Sequence, residues 1–279
     1  MPVLLAKMSR ARAAIDLARL GLRAPGRLLK GLYHLSTVES CRHHVVSGYG
    51  LAEGLPQVDL LELLGGKQQL IGSYSFLDGT SRPTDIALLR GLASRTSCRR
   101  YIEFGTWRGE SLANVAPLVE EAWAISFSAD QMRSAGMPES AVKAAHFFSG
   151  ELPNRTLIEA NTQTYDYSEL EGKFDLVFVD ADHEHPGVTI DTRNAFRLLR
   201  DEHSVIVWHD YGKDYETVNW PVLRGILDGC PDDAHRGRIR HVSNTLCAIY
   251  TRQDLPAYRP ERFLPDKVFD MTLNVQRPR

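Results

Sequence analysis

Two rhythms of apolar and polar residues run along this chain. Short, continuous apolar runs at 100–104, 122–127, 156–159, 174–180 and 204–208 predict buried strands. Between them, apolar residues recur at helical spacing. Leu112, Val115, Ala116 and Val119 mark one face of a helix over 110–121. Val188, Ala195, Leu198 and Leu199 mark another, with Pro186 suited to its first turn. Residues 220–227 predict a third, and Pro83, Thr84 and Asp85 open a fourth that carries Ile86, Leu88, Leu89 and Leu92. Two last extended runs, 238–242 and 245–251, meet at Ser243 and Asn244, which forces an antiparallel hairpin. Strands alternating with helices imply an α/β fold: a doubly wound, mostly parallel seven-stranded sheet closed by that hairpin.

The start of the chain reads differently. Residues 1–35 hold Lys7, Arg10, Arg12, Arg19, Arg23, Arg27 and Lys30 against one acid, Asp16, a net +6. The whole chain carries −2, so the other 244 residues carry −8. Leu17, Leu20, Leu28, Leu29 and Leu32 recur at roughly helical spacing. One reading is a basic amphipathic helix resting on an anionic membrane or a partner. The other is a helix packing one apolar stripe on the body, which Pro25 and Gly26 favour by interrupting the stretch. An Arg-rich, acid-poor start also has the composition of an organelle transit peptide. The expected organisation is a basic helical extension over 1–35, a cap or lid over 36–82 with a short helix near 58–64, the main domain over 83–252, and a tail over 253–279.

Composition narrows the class. With 279 residues, 43% hydrophobic and 24% charged, the chain can bury a full-sized core. No apolar stretch approaches the roughly 20 residues that span a bilayer. The stretch Val3–Leu5 is too short for a secretory signal and is followed at once by positive charge. Cys41, Cys98, Cys230 and Cys247 fit neither a zinc spacing nor a disulfide framework, so a reducing, cytoplasmic setting is expected. The acidic body argues against nucleic acid as a partner.

Ligands on such a sheet sit past the carboxyl ends of the strands, near the topological switch point. The first strand is followed by EFGTWRGES at 103–111, where Gly105 and Gly109 bracket a tight turn into a helix. Position 107 is Trp, so the glycine pattern that cradles a pyrophosphate is absent and a phosphate-free ligand fits better. The fourth strand ends in Asp180-Ala-Asp-His183 and the fifth in His209-Asp210-Tyr211. If those strands are neighbours, about 4.8 Å apart, Asp180 and Asp210 converge on one point, with oxygen donors suited to Mg²⁺, Ca²⁺ or Mn²⁺. His183 stands three residues after Asp180 and is a candidate general base. Taken singly, each acid is equally a helix cap and each histidine a packed surface side chain.

These pieces, in their order and spacing, resemble a class I S-adenosylmethionine-dependent methyltransferase over roughly residues 83–252. In detail they are similar to the bacterial branch of O-methyltransferases acting on sugars and natural products. The resemblance implies a Rossmann-like methyltransferase fold and S-adenosylmethionine as cofactor. It implies that Glu103 and Gly105 hold the methionine end, with Thr84 and Thr106 as further cofactor contacts. Ser126 stands where an acid ordinarily takes the ribose hydroxyls, and Ser128 or Asp130 compensates for it. Asn161, with Thr162 beside it, faces the adenine, and Asp180 borders the cofactor. In metal-dependent relatives the matching positions are Asp180, His209 and Asp210, which makes Mg²⁺ a candidate here. Histidine at 209 in place of a carboxylate or amide weakens a site for a hard cation.

The chemistry so implied is methyl transfer to a sugar hydroxyl on a small molecule or glycan, with His183 removing the proton and residues 36–80 forming an acceptor-side lid that uses Tyr74, Phe76 and Trp107. Two rivals stand beside it. A nucleotide-dependent oxidoreductase would need the missing phosphate cradle. A cofactor-binding scaffold without catalysis is kept open by Ser126 and His209. A peripheral position at the inner membrane through residues 1–35, and a homo-oligomer, complete the expectations.

Overall fold

The buried apolar runs assemble as the strands of one sheet, and the amphipathic stretches pack on its two faces. The computed structural model describes residues 10–95, 97–214, 216–261 and 264–277. Lys7, the Val3–Leu5 stretch and parts of the 253–279 tail lie outside them. In chain order the described elements are α1 (Arg10–Arg23), α2 (Pro25–Tyr49), β1 (Gln57–Val58), α3 (Leu60–Leu64), α4 (Pro83–Ala93), β2 (Arg100–Phe104), α5 (Glu110–Val115), β3 (Glu121–Ser126), α6 (Ala129–Ser134), α7 (Glu139–Ala144), β4 (Arg155–Glu159), β5 (Leu176–Val179), α8 (His185–Leu198), β6 (Val205–Trp208), β7 (Gly212–Asp214), β8 (Thr217–Val218), α9 (Trp220–Gly229), α10 (Asp233–Arg236), β9 (Ile239–Val242) and β10 (Ala248–Tyr250).

The main sheet runs β1-β9-β10-β6-β5-β2-β3-β4. Strands β6, β5, β2, β3 and β4 are mutually parallel, and β10 is antiparallel to both β6 and β9. This is the expected α/β, doubly wound methyltransferase-type sheet with its closing hairpin. It gains an eighth strand at the edge, because Gln57–Val58 pairs with His241 and Val242. The pair β7 and β8 forms a separate small ribbon. The chain leaves β2 toward β3 and β4 on one side and returns to β5 and β6 on the other. The switch point is therefore the gap between β2 and β5.

Alternation along the strands divides the core. Ile102, Phe104, Val177, Val179, Ile206 and Trp208 face α8 and α9. Tyr101, Leu176, Phe178, Val205 and Val207 face α4 and α5. The helix expected over 110–121 is shorter than its apolar pattern: Pro117 lies in a 3₁₀ turn, Ala116–Leu118, that follows α5.

The amino-terminal expectation needs correction. Pro25 does not leave short fragments. It occupies the first turn of α2, which runs 25 residues and passes through the expected boundary at residue 35. Nor is its first half packed on the body. Leu29 is 67% exposed and Tyr33 76%, as is Leu22 of α1 at 87%. Only the second half is anchored, with Cys41 and Val45 buried and His44 and Tyr49 bonded to Asp228 of α9 at 3.1 and 2.5 Å. Residues 36–82 are accordingly part helix and part loop. No helix among the described residues is long and apolar enough to cross a membrane.

One buried acid gives the fold a pH signature. Asp191 of α8 is fully buried, and that burial pushes its pKa up to about 7. The folded protein holds a proton that the unfolded chain releases near pH 4. Its contribution to stability is thus fully present below about pH 4 and is lost as pH rises to about 7. Between about pH 5.5 and 7 the loss is on the order of 2 kcal/mol. Asp191→Asn should remove about half of the slope in that part of a urea-midpoint profile, because burial raises Glu103 to about 7 as well. A variant profile as steep as wild type would assign the slope elsewhere.

Candidate active site

Parallel register places the strand ends side by side. Phe104 pairs with Val179 and Val179 with Trp208, so Gly105, Asp180 and His209 stand in one row just beyond the sheet. The contact is close enough to require glycine. Gly105 has φ +82°, and a Cβ there would lie 2.4 Å from the Asp180 carbonyl oxygen. A cavity of about 1060 Å³ opens over this row. Single small-molecule sites hold roughly 300–1,000 Å³, so there is room for a nucleoside cofactor and an acceptor together.

Four side chains converge on the cavity floor. His183 Nε2 lies 2.8 Å from Asp210 Oδ2 and 3.6 Å from Asp180 Oδ1. His209 Nδ1 lies 3.1 Å from Asp180 Oδ1 and 3.3 Å from Asp210 Oδ1. Asp210 reaches inward from a left-handed backbone, φ +54°, a conformation that aspartate tolerates better than most residues. Asp180 and Asp210 push the His183 pKa up to about 10. His209 is raised as well: burial acts against its charge, but Asp180 outweighs it. Asp180 and Asp210 are both held low, because their histidine partners overcome a burial effect of opposite sign.

Asp85 was not legible as part of this group. The sequence marks it only as the opening of α4, and it does cap that helix, accepting from Arg82 N at 2.7 Å. It is also fully buried, accepts from Leu246 N at 2.8 Å and sits 3.1 Å from His209 Nε2. Asp85 already accepts from two backbone amides, so as its third partner Nε2 is the nitrogen through which His209 donates. Its Nδ1, buried and without hydrogen-bond geometry to any partner, faces the two acids. A carboxylate behind a histidine, with the other ring nitrogen beside two carboxylates, is the arrangement of a metal-binding histidine. One ligand atom from each of Asp180, His209 and Asp210 lies within 4.8 Å of the others. The donor set fits a divalent cation, with the imidazole favouring Mn²⁺ over Mg²⁺.

The expected cofactor residues divide. Gly105, Thr106, Ser126, Asn161, Thr162 and Asp180 line the cavity. Asn161 Oδ1 accepts from Gln163 N at 2.9 Å, so its amide nitrogen is the donor it can offer a ligand. The Ser126 hydroxyl donates to the Thr106 carbonyl at 3.1 Å, which leaves its oxygen only as an acceptor. Glu103 and Thr84 depart from expectation. Glu103 is fully buried and accepts from Thr106, Tyr101 and Ser111, so it braces the turn from beneath instead of facing the cavity. Burial pushes its pKa up to about 7, although those bonds act the other way. Thr84 lies on the first turn of α4 behind Arg82 and Pro83, which do line the cavity, and its hydroxyl is buried without a partner.

The opposite wall comes from residues 72–80. Tyr74, Phe76 and Trp107 line it, with Phe76 60% exposed. This wall is tied to α5. Arg108 pairs with Glu110 at 3.1 Å, both nearly fully buried, and donates to the Asp78 carbonyl at 3.0 Å and to the Thr80 hydroxyl. Glu110 accepts from Ser75 at 2.6 Å, and Asn114 brackets Gly72 with two hydrogen bonds. The GTWRGES run therefore carries both the floor turn and the clasp of the lid, a second duty that strand-and-helix reasoning did not expose.

With this geometry in place, comparison with known proteins adds a class. Residues 102–211 match the model of a family described as a methyltransferase domain. No curated protein matches the chain. Among solved structures the chain is similar to the YcgJ protein from Bacillus subtilis, at 16% identity over 50% of this chain and 53% of that one, with a TM-score of 0.34. It thus spans about half of that protein's length. It is also similar to an O-methyltransferase from Bacillus cereus in complex with SAH (19% identity, 68% and 87% covered, TM-score 0.41) and to cofactor-bound Rv0187 from MTB (18%, 70% and 88%, 0.42). The matched segment runs from within β2 to beyond β6 and holds all four side chains of the cavity floor, while Asp85, behind His209, lies outside it. The family match covers 110 of the 279 residues of the chain.

Proposed function

We propose that this protein transfers a methyl group from S-adenosylmethionine to a hydroxyl of a sugar, on a glycan or a natural product, with assistance from a divalent cation. One observation carries the reading: Asp180, His183, His209 and Asp210 converge on the floor of a cavity large enough for cofactor and acceptor together.

Gly105 and Thr106 border the methionine end, Ser126 the ribose and Asn161 with Thr162 the adenine. The acceptor lies between this row and the lid wall of Tyr74, Phe76 and Trp107. Its hydroxyl approaches the sulfonium methyl in line. The O–CH₃ bond forms as the S–CH₃ bond breaks, leaving S-adenosylhomocysteine, and His183 takes the hydroxyl proton. Positioning the two substrates supplies much of the rate. A sugar hydroxyl is a poor nucleophile at neutral pH, so a base adds about 10²–10⁴. Asp180 Oδ1, His209 Nδ1 and Asp210 would hold a cation, which supplies a Lewis-acid contact to the acceptor oxygen. The base role of His183 requires that the charge of Asp180 and Asp210 be offset, and theirs are the carboxylates the cation site would use.

Calorimetry should detect S-adenosylmethionine binding, and a sugar panel with Mn²⁺ or Mg²⁺ should give turnover. Chelation should lower that turnover, and Asp180→Asn should raise the cation concentration needed for half-maximal rate about tenfold or more. Turnover indifferent to chelator would remove the cation from the mechanism. Binding without turnover on any acceptor would favour the scaffold reading that Ser126 and His209 keep open.

A further inference from the structure

The helices α1 and α2 are a pair bent at one residue, and much of their surface is not covered by the body. They join at Ala24, where the Ala24 amide donates to Leu20 O at 2.8 Å, and Leu28 packs toward Gly21 between them. Beyond that seam, large apolar side chains face outward. On α1 these are Ile15 and Leu22, seven residues apart and so on one stripe, 52% and 87% exposed. On α2 they are Leu29, Leu32 and Tyr33, with spacings of three and four, at 67%, 51% and 76%. A soluble body rarely leaves such a cluster facing water without a use for it.

The charges beside these stripes say what could cover them. Residues 10–35 hold six basic side chains and one acid. Arg12, Arg19 and Arg23 lie beside the Ile15–Leu22 stripe at matching helical spacing, and Lys30 flanks the α2 cluster, with Arg27 across that helix; all five are exposed. A second copy meeting this pair of helices with its own would bring two surfaces of the same strong positive charge together. A surface that is both apolar beneath and anionic above meets the two requirements at once. We infer that this pair of helices docks on the surface of an anionic lipid bilayer, with Ile15, Leu22, Leu29 and Tyr33 entering the acyl boundary and Arg12, Arg23 and Lys30 among the headgroups. The anchored half of α2, bonded through His44 and Tyr49 to Asp228 of α9, fixes the two helices to the body. The inference is independent of which acceptor is methylated.

The test is co-sedimentation of the full-length chain with vesicles of phosphatidylcholine alone and of phosphatidylcholine with one third phosphatidylglycerol, at low and high salt. Binding is expected only with phosphatidylglycerol and should weaken with salt. The triple variant Arg23→Glu, Arg27→Glu, Lys30→Glu should lower partitioning about a hundredfold. The triple variant Leu22→Ser, Leu29→Ser, Tyr33→Ser should lower it at least about tenfold. Circular dichroism and a urea midpoint at the wild-type value establish that each variant is folded. Absence of binding to either vesicle overturns the inference, as does binding that both folded variants retain. A concentration-dependent dimer in light scattering, abolished by the apolar variant while vesicles bind nothing, would instead assign the surface to a second copy.

Discussion

Replacing His183 with alanine should lower methyl transfer about 10²–10⁴-fold while leaving the dissociation constant for S-adenosylmethionine within about a factor of three. The asymmetry follows from geometry. His183 is half exposed on the cavity floor and is held by Asp210 at 2.8 Å, whereas the candidate cofactor contacts come from β2, β3 and β4 on the other side of the switch point. Removing the ring takes away the proton acceptor without touching those walls. Single-turnover kinetics would isolate the effect, because a defect in product release would leave the first turnover fast. Unaltered kinetics in the variant would strike His183 from the mechanism. A parallel loss of cofactor binding would make it a structural residue, with Asp180 and Asp210 left as an unneutralised acid pair.

Gly105→Ala should be the most damaging small substitution in the chain. Two penalties coincide there. At φ +82° the left-handed backbone disfavours any side chain, which costs about 1–3 kcal/mol. The new methyl would also lie 2.4 Å from Asp180 O and 2.6 Å from Ala181 Cα, both backbone atoms that cannot rotate away. Relieving that overlap means shifting the β5 loop, at about 1–3 kcal/mol more. Together these predict a fall in melting temperature of about 5–15 °C. Because the displaced loop carries Asp180 and His183, turnover should fall even below the melting range. Gly48→Ala is the control: it lies within α2, has nothing within 4 Å of the new Cβ, and should be neutral or slightly stabilising. Equal melting points for wild type and Gly105→Ala would mean that β2 and β5 are not packed as described.

Much of this molecule was legible before any coordinates. Apolar runs and helical spacing placed each central strand, because a parallel strand buried on both faces must be continuously apolar. The tight hairpin connection determined its own antiparallel sense. The rule that ligands gather beyond strand ends then singled out Gly105, Asp180, His183, His209 and Asp210, the family resemblance added Ser126 and Asn161, and all of them line the cavity. These features depend on local periodicity or on topology, which sequence carries directly.

Tertiary structure decided the rest. Glu103 ends the strand that leads into the site, yet its carboxylate turns beneath the loop, where Tyr101, Thr106 and Ser111 bind it. Asp85 reads as a helix start, and only the approach of β6 brings it to His209, 124 residues away. Leu20, Leu29 and Leu32 have the spacing of a packed stripe, yet they stand exposed. In each case the spacing says which residues share a face. What that face meets depends on contacts between segments far apart in the chain, and those are settled only when the whole sheet closes.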